Sequence, residues 1–322
     1  MNRAGVESEA VRRLVQDIGE PRLRGILVRC LEGSISPPVA LMHLLIETED
    51  AAAVRAAVDD VTRRAAALSR SGDNLVRDRV DDLTQLVVEN EEGCDKIAEM
   101  LRANVDSATP AETVDAGIAF CERLFDWSVR ESEEASVALY SLGSTELLEQ
   151  ATDEIVAQLE HWGVVSPDRD LLDIGCGIGR LEVALSPKVR SIHGVDVSGE
   201  MIEVAQRRTA RLKNVQLLKG TGRDLRVYGD CTFDTVISVD TFPYLNQSGQ
   251  PLVEKHFAEC ARVLRPKGDL VILNFGYGTD DSADNLRIRD MAARHGFDVL
   301  VSGDRPFALW DGTAFHLRRR AG

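Results

Sequence analysis

No CxxC pair occurs in this chain: its six cysteines (Cys30, Cys94, Cys121, Cys176, Cys231, Cys260) stand singly over 322 residues. That spacing excludes a dense disulfide framework and points to free thiols in a reducing compartment. No run approaches the ~20 apolar residues of a membrane-spanning helix. The opening segment, Met1 to Glu9, lacks an apolar signal core, so a cytoplasmic location with no membrane partner is expected. The six histidines (His43, His161, His193, His256, His295, His316) show no metal-ligand spacing, and no metal is expected. Positive charge is scarce as well: 38 Lys+Arg face 53 Asp+Glu, a formal net charge of −15. An anionic membrane or nucleic-acid backbone would repel such a surface. No fixed-period repeat is present, which argues against a solenoid.

What is present divides unevenly. Residues 1–165 hold 16 basic and 32 acidic residues, whereas 166–322 hold 22 and 21, so the acidic excess belongs to the first half. That half shows helical periodicity. Ser36-Pro37-Pro38 reads as an N-cap followed by proline in the first turn, with Ala40, Leu41, Leu44 and Leu45 forming one apolar stripe. Residues 51–68 repeat the pattern through Val54, Ala57, Val58, Val61 and Ala65, and residues 73–90 through Leu75, Val76, Val80, Leu83, Leu86 and Val87. Thr109-Pro110 marks another helix start, and Ser144 precedes one from Thr145 to about Trp162. A helical bundle with solvated acidic faces is expected over 1–130, followed by a helical junction over 131–165.

From residue 166 the grammar changes. Short apolar runs at 171–174, 191–195, 215–218, 235–239 and 270–273 alternate with helical patterns at 180–185, 200–212 and 252–264, which predicts βαβ units. Residues 297–302 and 313–319 read as two strands with no helix between them, and Asp311-Gly312 marks a turn. The expected architecture is α/β: a doubly wound, mostly parallel seven-stranded sheet over 166–322, with an N-terminal all-α domain.

The chemistry concentrates where the first of these strands ends. Leu171-Leu172-Asp173-Ile174-Gly175-Cys176-Gly177-Ile178-Gly179-Arg180 combines a strand, a glycine-rich turn and a helix start. Such glycines let backbone approach a ligand, and the helix N-terminus favours polar or anionic groups. The GxGxxG dinucleotide fingerprint fails because Arg180 stands three positions after Gly177. The next strand ends in Asp196, placed to accept from ribose hydroxyls.

Together these segments resemble the class I S-adenosylmethionine-dependent methyltransferases, over about residues 143–319. LLDIGCGIGR resembles that family's cofactor loop, FDTVISVD (233–240) its fourth-strand segment, and ARVLRPKGDLVIL (261–273) its helix, turn and fifth strand. The resemblance implies S-adenosylmethionine as cofactor. It implies that Gly175, Cys176, Gly177 and Gly179 line the methionine and ribose portion. Asp173 would hold the amino group, Asp196 and Val197 the ribose edge, and Met201 would pack on adenine. Thr221 stands where the family commonly has an adenine-binding acid. Asp224, or backbone near Gly222, is the candidate to replace it.

On the acceptor side, Asp240-Thr241-Phe242-Pro243-Tyr244 follows the fourth strand without the paired prolines of DNA amino-methyltransferases. A small-molecule acceptor, with no nucleic-acid partner, is therefore expected. Phe242, Asn274 and Tyr277 are candidate substrate-binding residues. Tyr140, Asp240 and Tyr244 are candidate catalytic groups for an in-line displacement at the methyl carbon. The helical domain is a candidate lid, substrate wall or homodimer surface. Transfer or cyclisation of the cofactor's aminocarboxypropyl arm, or a non-catalytic cofactor-binding module, would use the same binding residues.

Overall fold

A computed structural model describes residues 9–67, 74–103, 111–277 and 281–321. They form two compact units whose boundaries interleave along the chain. One comprises residues up to 105, 134–151 and 308–311; the other comprises 106–133, 152–307 and 312 onward.

The second unit is built on one sheet. Its strands are β1 (Asp170–Ile174), β2 (Ser191–Asp196), β3 (Val215–Lys219), β4 (Phe233–Val239), β5 (Leu264–Leu273), β6 (Phe297–Asp304) and β7 (Ala314–Arg319). The order is β3-β2-β1-β4-β5-β7-β6. Pairs from β3 across to β5 run parallel, and β7 runs antiparallel to both β5 and β6. Strand order reverses direction between β1 and β4, the switch point where ligands bind in open α/β sheets. One face packs a continuous apolar core, including Leu172, Ile174, Val236, Phe257, Phe275 and Phe315. Burial of each such side chain stabilises the fold by roughly 1.5–3 kcal/mol.

The first unit is helical: α1 (Glu9–Val15), α2 (Pro21–Leu31), α3 (Pro37–Thr48), α4 (Ala51–Ala65), α5 (Asn74–Glu89) and α6 (Glu91–Ala103). Ser36 caps α3 as expected, its Oγ accepting from the Val39 amide at 3.4 Å. Leu41, Leu44 and Leu45 are fully buried, and α3 packs against α2, α4, α5 and α6 as the central helix. The link between β6 and β7 also belongs here. Ser36 Oγ donates to the Leu309 carbonyl at 2.6 Å, His43 Nε2 lies 3.1 Å from Asp311, and Trp310 is buried with its ring 5.8 Å from that of Tyr140.

Three expectations change. The helix α7 (Val114–Glu131) starts at the cap residue Thr113, whereas Thr109-Pro110 lies outside the described residues. It belongs to the sheet unit, so a boundary at residue 130 cuts the chain differently from its packing. The reason is local: α7 packs on α11 (Gly199–Thr209) and α12 (Phe242–Ser248). The short α8 (Glu133–Val137) and the longer α9 (Thr145–His161) both span the change from one unit to the other. Finally, α14 (Asp281–Arg294) lies between β5 and β6, where no helix was expected. Only Ile288, Met291 and Ala292 are fully buried along it, so its apolar stripe is narrow and masked by charge.

Candidate active site

The glycine loop joins β1 to α10 (Arg180–Leu185). Gly175, Gly177 and Gly179 adopt φ of +79°, +52° and +76°, a region closed to most side chains. At Gly175 a Cβ would also lie 1.9 Å from Thr241 Oγ1. That hydroxyl donates to the Ile174 carbonyl at 2.9 Å, tying the end of β4 to the end of β1. Thr241 was not singled out by sequence, because a lone threonine carries no pattern.

Asp196 closes the other side of the loop. Its Oδ2 accepts from the Gly177 amide at 3.0 Å and its Oδ1 from the Ser198 amide at 2.8 Å. Burial raises its pKa, and the backbone donors pull it back down. Each carboxylate oxygen retains a further lone pair for a ligand hydroxyl. Val197, beside it, lines Gly222: a Cβ there would meet Ile118 at 2.9 Å and Val197 at 3.3 Å. From α7, Asp126 accepts from Ser198 Oγ at 2.6 Å and from the Glu200 amide at 3.2 Å, fixing this helix to the start of α11.

Asp173, at 2% exposure, is buried beneath the loop with its Oδ1 unpartnered. Burial raises its pKa to about 7. Glu182 of α10, also buried, has neither carboxyl oxygen partnered. Cys176 is buried too, and desolvation first, then the nearby acids, push its thiol well above its ordinary pKa. It stays protonated and is no nucleophile.

A second polar group sits at the ends of β4, β5 and β7. Asp240 and Asn274 both take the left-handed conformation, φ +56° and +64°, a strain that clusters at functional sites. Asn274 Nδ2 donates to Asp240 Oδ1 at 2.7 Å, and Tyr277 Oη donates to the same oxygen at 3.3 Å. The Thr313 amide donates to Asn274 Oδ1 at 2.9 Å. Tyr244 stands edge-on to both Tyr277 and Phe125, at 5.9 and 4.9 Å between ring centres. Burial of its hydroxyl, and then the Asp240 carboxylate, raise the pKa of Tyr244, whereas Tyr277 keeps 56% of its surface exposed.

The other expected site residues have contacts of their own. Phe242 is fully buried against Phe257 and Phe275, so it fills the core and walls no pocket. Met201 is covered by protein on the inward face of α11. Asp224 pairs with Arg226 at 2.9 Å. Tyr140 belongs to the helical unit, buried beside Trp310. His193 packs edge-on against Tyr228 and Phe233. Among the described residues no cluster suited to a metal ion occurs, and no helix is long and apolar enough to cross a membrane.

A glycine turn at the end of β1, with an acid at or next to the end of each of the first two strands, is an arrangement by which open α/β domains hold a nucleoside. Residues 172–272 match the family model described as a methyltransferase domain. Over that segment the chain is similar to S-adenosylmethionine-dependent methyltransferases. It is 31% identical over 139 residues to phosphoethanolamine N-methyltransferase 2 of Caenorhabditis elegans, covering 42% of this chain and 30% of that protein. It is 27% identical over 182 residues to an O-methyltransferase of Pyrenophora dematioidea, covering 54% and 64%. The chain thus spans less than two thirds of either relative. Among solved structures, phosphoethanolamine N-methyltransferase 1 of Haemonchus contortus, in complex with phosphoethanolamine and S-adenosylhomocysteine, matches at TM-score 0.52 and 18% identity. The match covers 65% of this chain and 50% of that one, and it shows the shared fold. S-adenosylmethionine is the cofactor of such methyltransferases, and the residues suit it: Asp173 is a buried acid with an unpartnered oxygen, and Asp196 keeps acceptor capacity for hydroxyls.

Proposed function

We propose that this protein transfers the methyl group of S-adenosylmethionine to a small-molecule acceptor. The observation that carries the reading is the loop itself, with Asp196 held by two backbone amides at one side and Asp173 unpartnered below. When bound, the cofactor supplies a methyl group already activated on a sulfonium. The protein therefore needs mainly to align the acceptor and exclude water.

Gly175 to Gly179 cradle the methionine portion, Asp173 holds its amino group, and Asp196 with Val197 holds the ribose. Asp240, Asn274 and Tyr277 form the polar end that orients the acceptor. Of the groups near the end of β4 that could take a proton, Tyr244 is held protonated by burial. Asp240, held by Asn274 and Tyr277, takes a proton from an acceptor that must lose one. The Tyr244 and Tyr277 hydroxyls act as donors. The relatives named above are N- and O-methyltransferases, so the family alone does not choose the acceptor atom.

Incubation with methyl-labelled S-adenosylmethionine and a metabolite panel tests this reading. S-adenosylhomocysteine and a labelled acceptor are expected. Methylthioadenosine as the product would instead indicate use of the aminocarboxypropyl arm. With the acceptor in hand, Asp240→Asn should preserve cofactor affinity and cut turnover by about 10²-fold or more.

A further inference from the structure

Two buried acids lie side by side under the glycine loop. In the parallel register of β1 and β2, Asp173 pairs with Gly194, so the two positions project to the same face of the sheet. Glu182, reaching in from α10, places Oε1 2.5 Å from where a Gly194 Cβ would stand. The missing side chain at Gly194 is the space that the Glu182 carboxyl occupies. The two carboxyls are therefore about one strand spacing apart, roughly 5 Å.

Asp173 Oδ1 and both Glu182 carboxyl oxygens lack a donor in hydrogen-bonding geometry; Arg180 acting on both acids, and the Glu182 backbone amide, offset their burial only in part. The surrounding groups supply no paired positive charge. Cys176 from the loop is a protonated thiol, and Asp196 from β2 is a further acid with its own backbone donors. Leu217 from β3 is apolar and lies 2.7 Å from the same Gly194 Cβ position. The Tyr228 phenol is held protonated, its pKa pushed up to about 12 by burial. Among the described residues Arg180 from α10 is the cation acting on both acids, and its Nη1 donates to Thr152 Oγ1 at 3.3 Å. Two adjacent unpaired carboxylates in such a place cannot both ionise at modest cost.

We propose that Asp173 and Glu182 share one proton in the cofactor-free protein and release it to solvent when the cofactor's ammonium docks on Asp173, so that cofactor capture is proton-linked. The inference rests on the cofactor assignment above. Charge balances: a protonated pair and a cation become an ionised pair with its cation, plus one free proton. The raised pKa of both acids, caused first by burial and then by their neighbours, accords with this. Glu182 acts as a positioning residue, setting the charge state of Asp173 without touching the cofactor.

Calorimetric titration of the full chain with S-adenosylhomocysteine, in two buffers of different ionisation enthalpy, tests the linkage. Between pH 5.5 and 7.5 the wild-type affinity should rise by about fivefold or more, with release of up to about one proton. Glu182→Gln should still bind, with affinity varying less than about twofold over that range. Carbon-13 carboxyl titration of the wild-type protein provides a readout independent of any variant. A carboxyl midpoint well above the ordinary range, falling on ligand addition, is expected. Binding at constant strength across pH, or the wild-type slope persisting in a folded Glu182→Gln protein, overturns the linkage while leaving the cofactor assignment intact. No binding at any pH overturns the cofactor assignment, and the linkage with it.

Discussion

Glu182 and Asp173 show how a pair of residues can set the pH response of a protein. Their folded-state pKa values lie above the ordinary carboxylate range, so the folded state binds more protons than the unfolded one between about pH 4 and about 7. Stability of the cofactor-free protein should therefore fall as pH rises through that window and level off above it. Glu182→Gln should flatten the fall and raise the melting temperature at pH 8 relative to wild type. Thermal denaturation at pH 5 and pH 8 checks this, and an unchanged difference between the two proteins at both pH values would contradict it. Asp173 was legible in the sequence because it precedes a glycine turn at the end of a strand. Glu182 was not, because its carboxyl finds its place only once β2 brings Gly194 beneath it, a register that no local pattern encodes.

At the scale of elements, the strands were readable from short apolar runs and the glycine loop from its spacing, because both are local signals. The role of α7 was not, since an amphipathic helix does not announce which surface it will meet. Its attachment to the sheet unit depends on Gly117, where a Cβ would lie 2.5 Å from Ser248 Oγ and 2.8 Å from Ser248 Cα on α12. Contact at backbone distance leaves no room for a side chain. Gly117→Val should cost about 1–3 kcal/mol through overpacking. It should also speed hydrogen exchange in residues 114–131 while leaving β1 and β5 protected. Uniform acceleration across the sheet would show that α7 and the sheet open as one cooperative unit. Phe242 illustrates a related point: an aromatic ring beside a strand end fits a core as well as it fits a cleft, and only packing decides between them. The narrow stripe of α14 escaped notice because polar residues surround its three buried positions.

For the whole molecule, the acidic excess belongs to the N-terminal half of the sequence, yet that half is not one structural unit. The helical unit includes residues 134–151 and 308–311 as well as the chain up to 105. A fragment of residues 1–130 thus lacks Tyr140, Trp310 and the Leu309 carbonyl that accepts from Ser36. It should be helical by circular dichroism, melt without a sharp transition and bind a hydrophobic dye; a cooperative melt would show that the unit closes without those segments. The central claim is that the glycine loop after β1, with Asp196 at the end of β2, binds S-adenosylmethionine. Calorimetric titration of the intact protein and of Asp196→Ala with S-adenosylmethionine tests it most directly. The account predicts at least a tenfold loss of affinity in the variant, about 1.4 kcal/mol or more for charge-assisted hydrogen bonds. Equal affinity in the two proteins would contradict it.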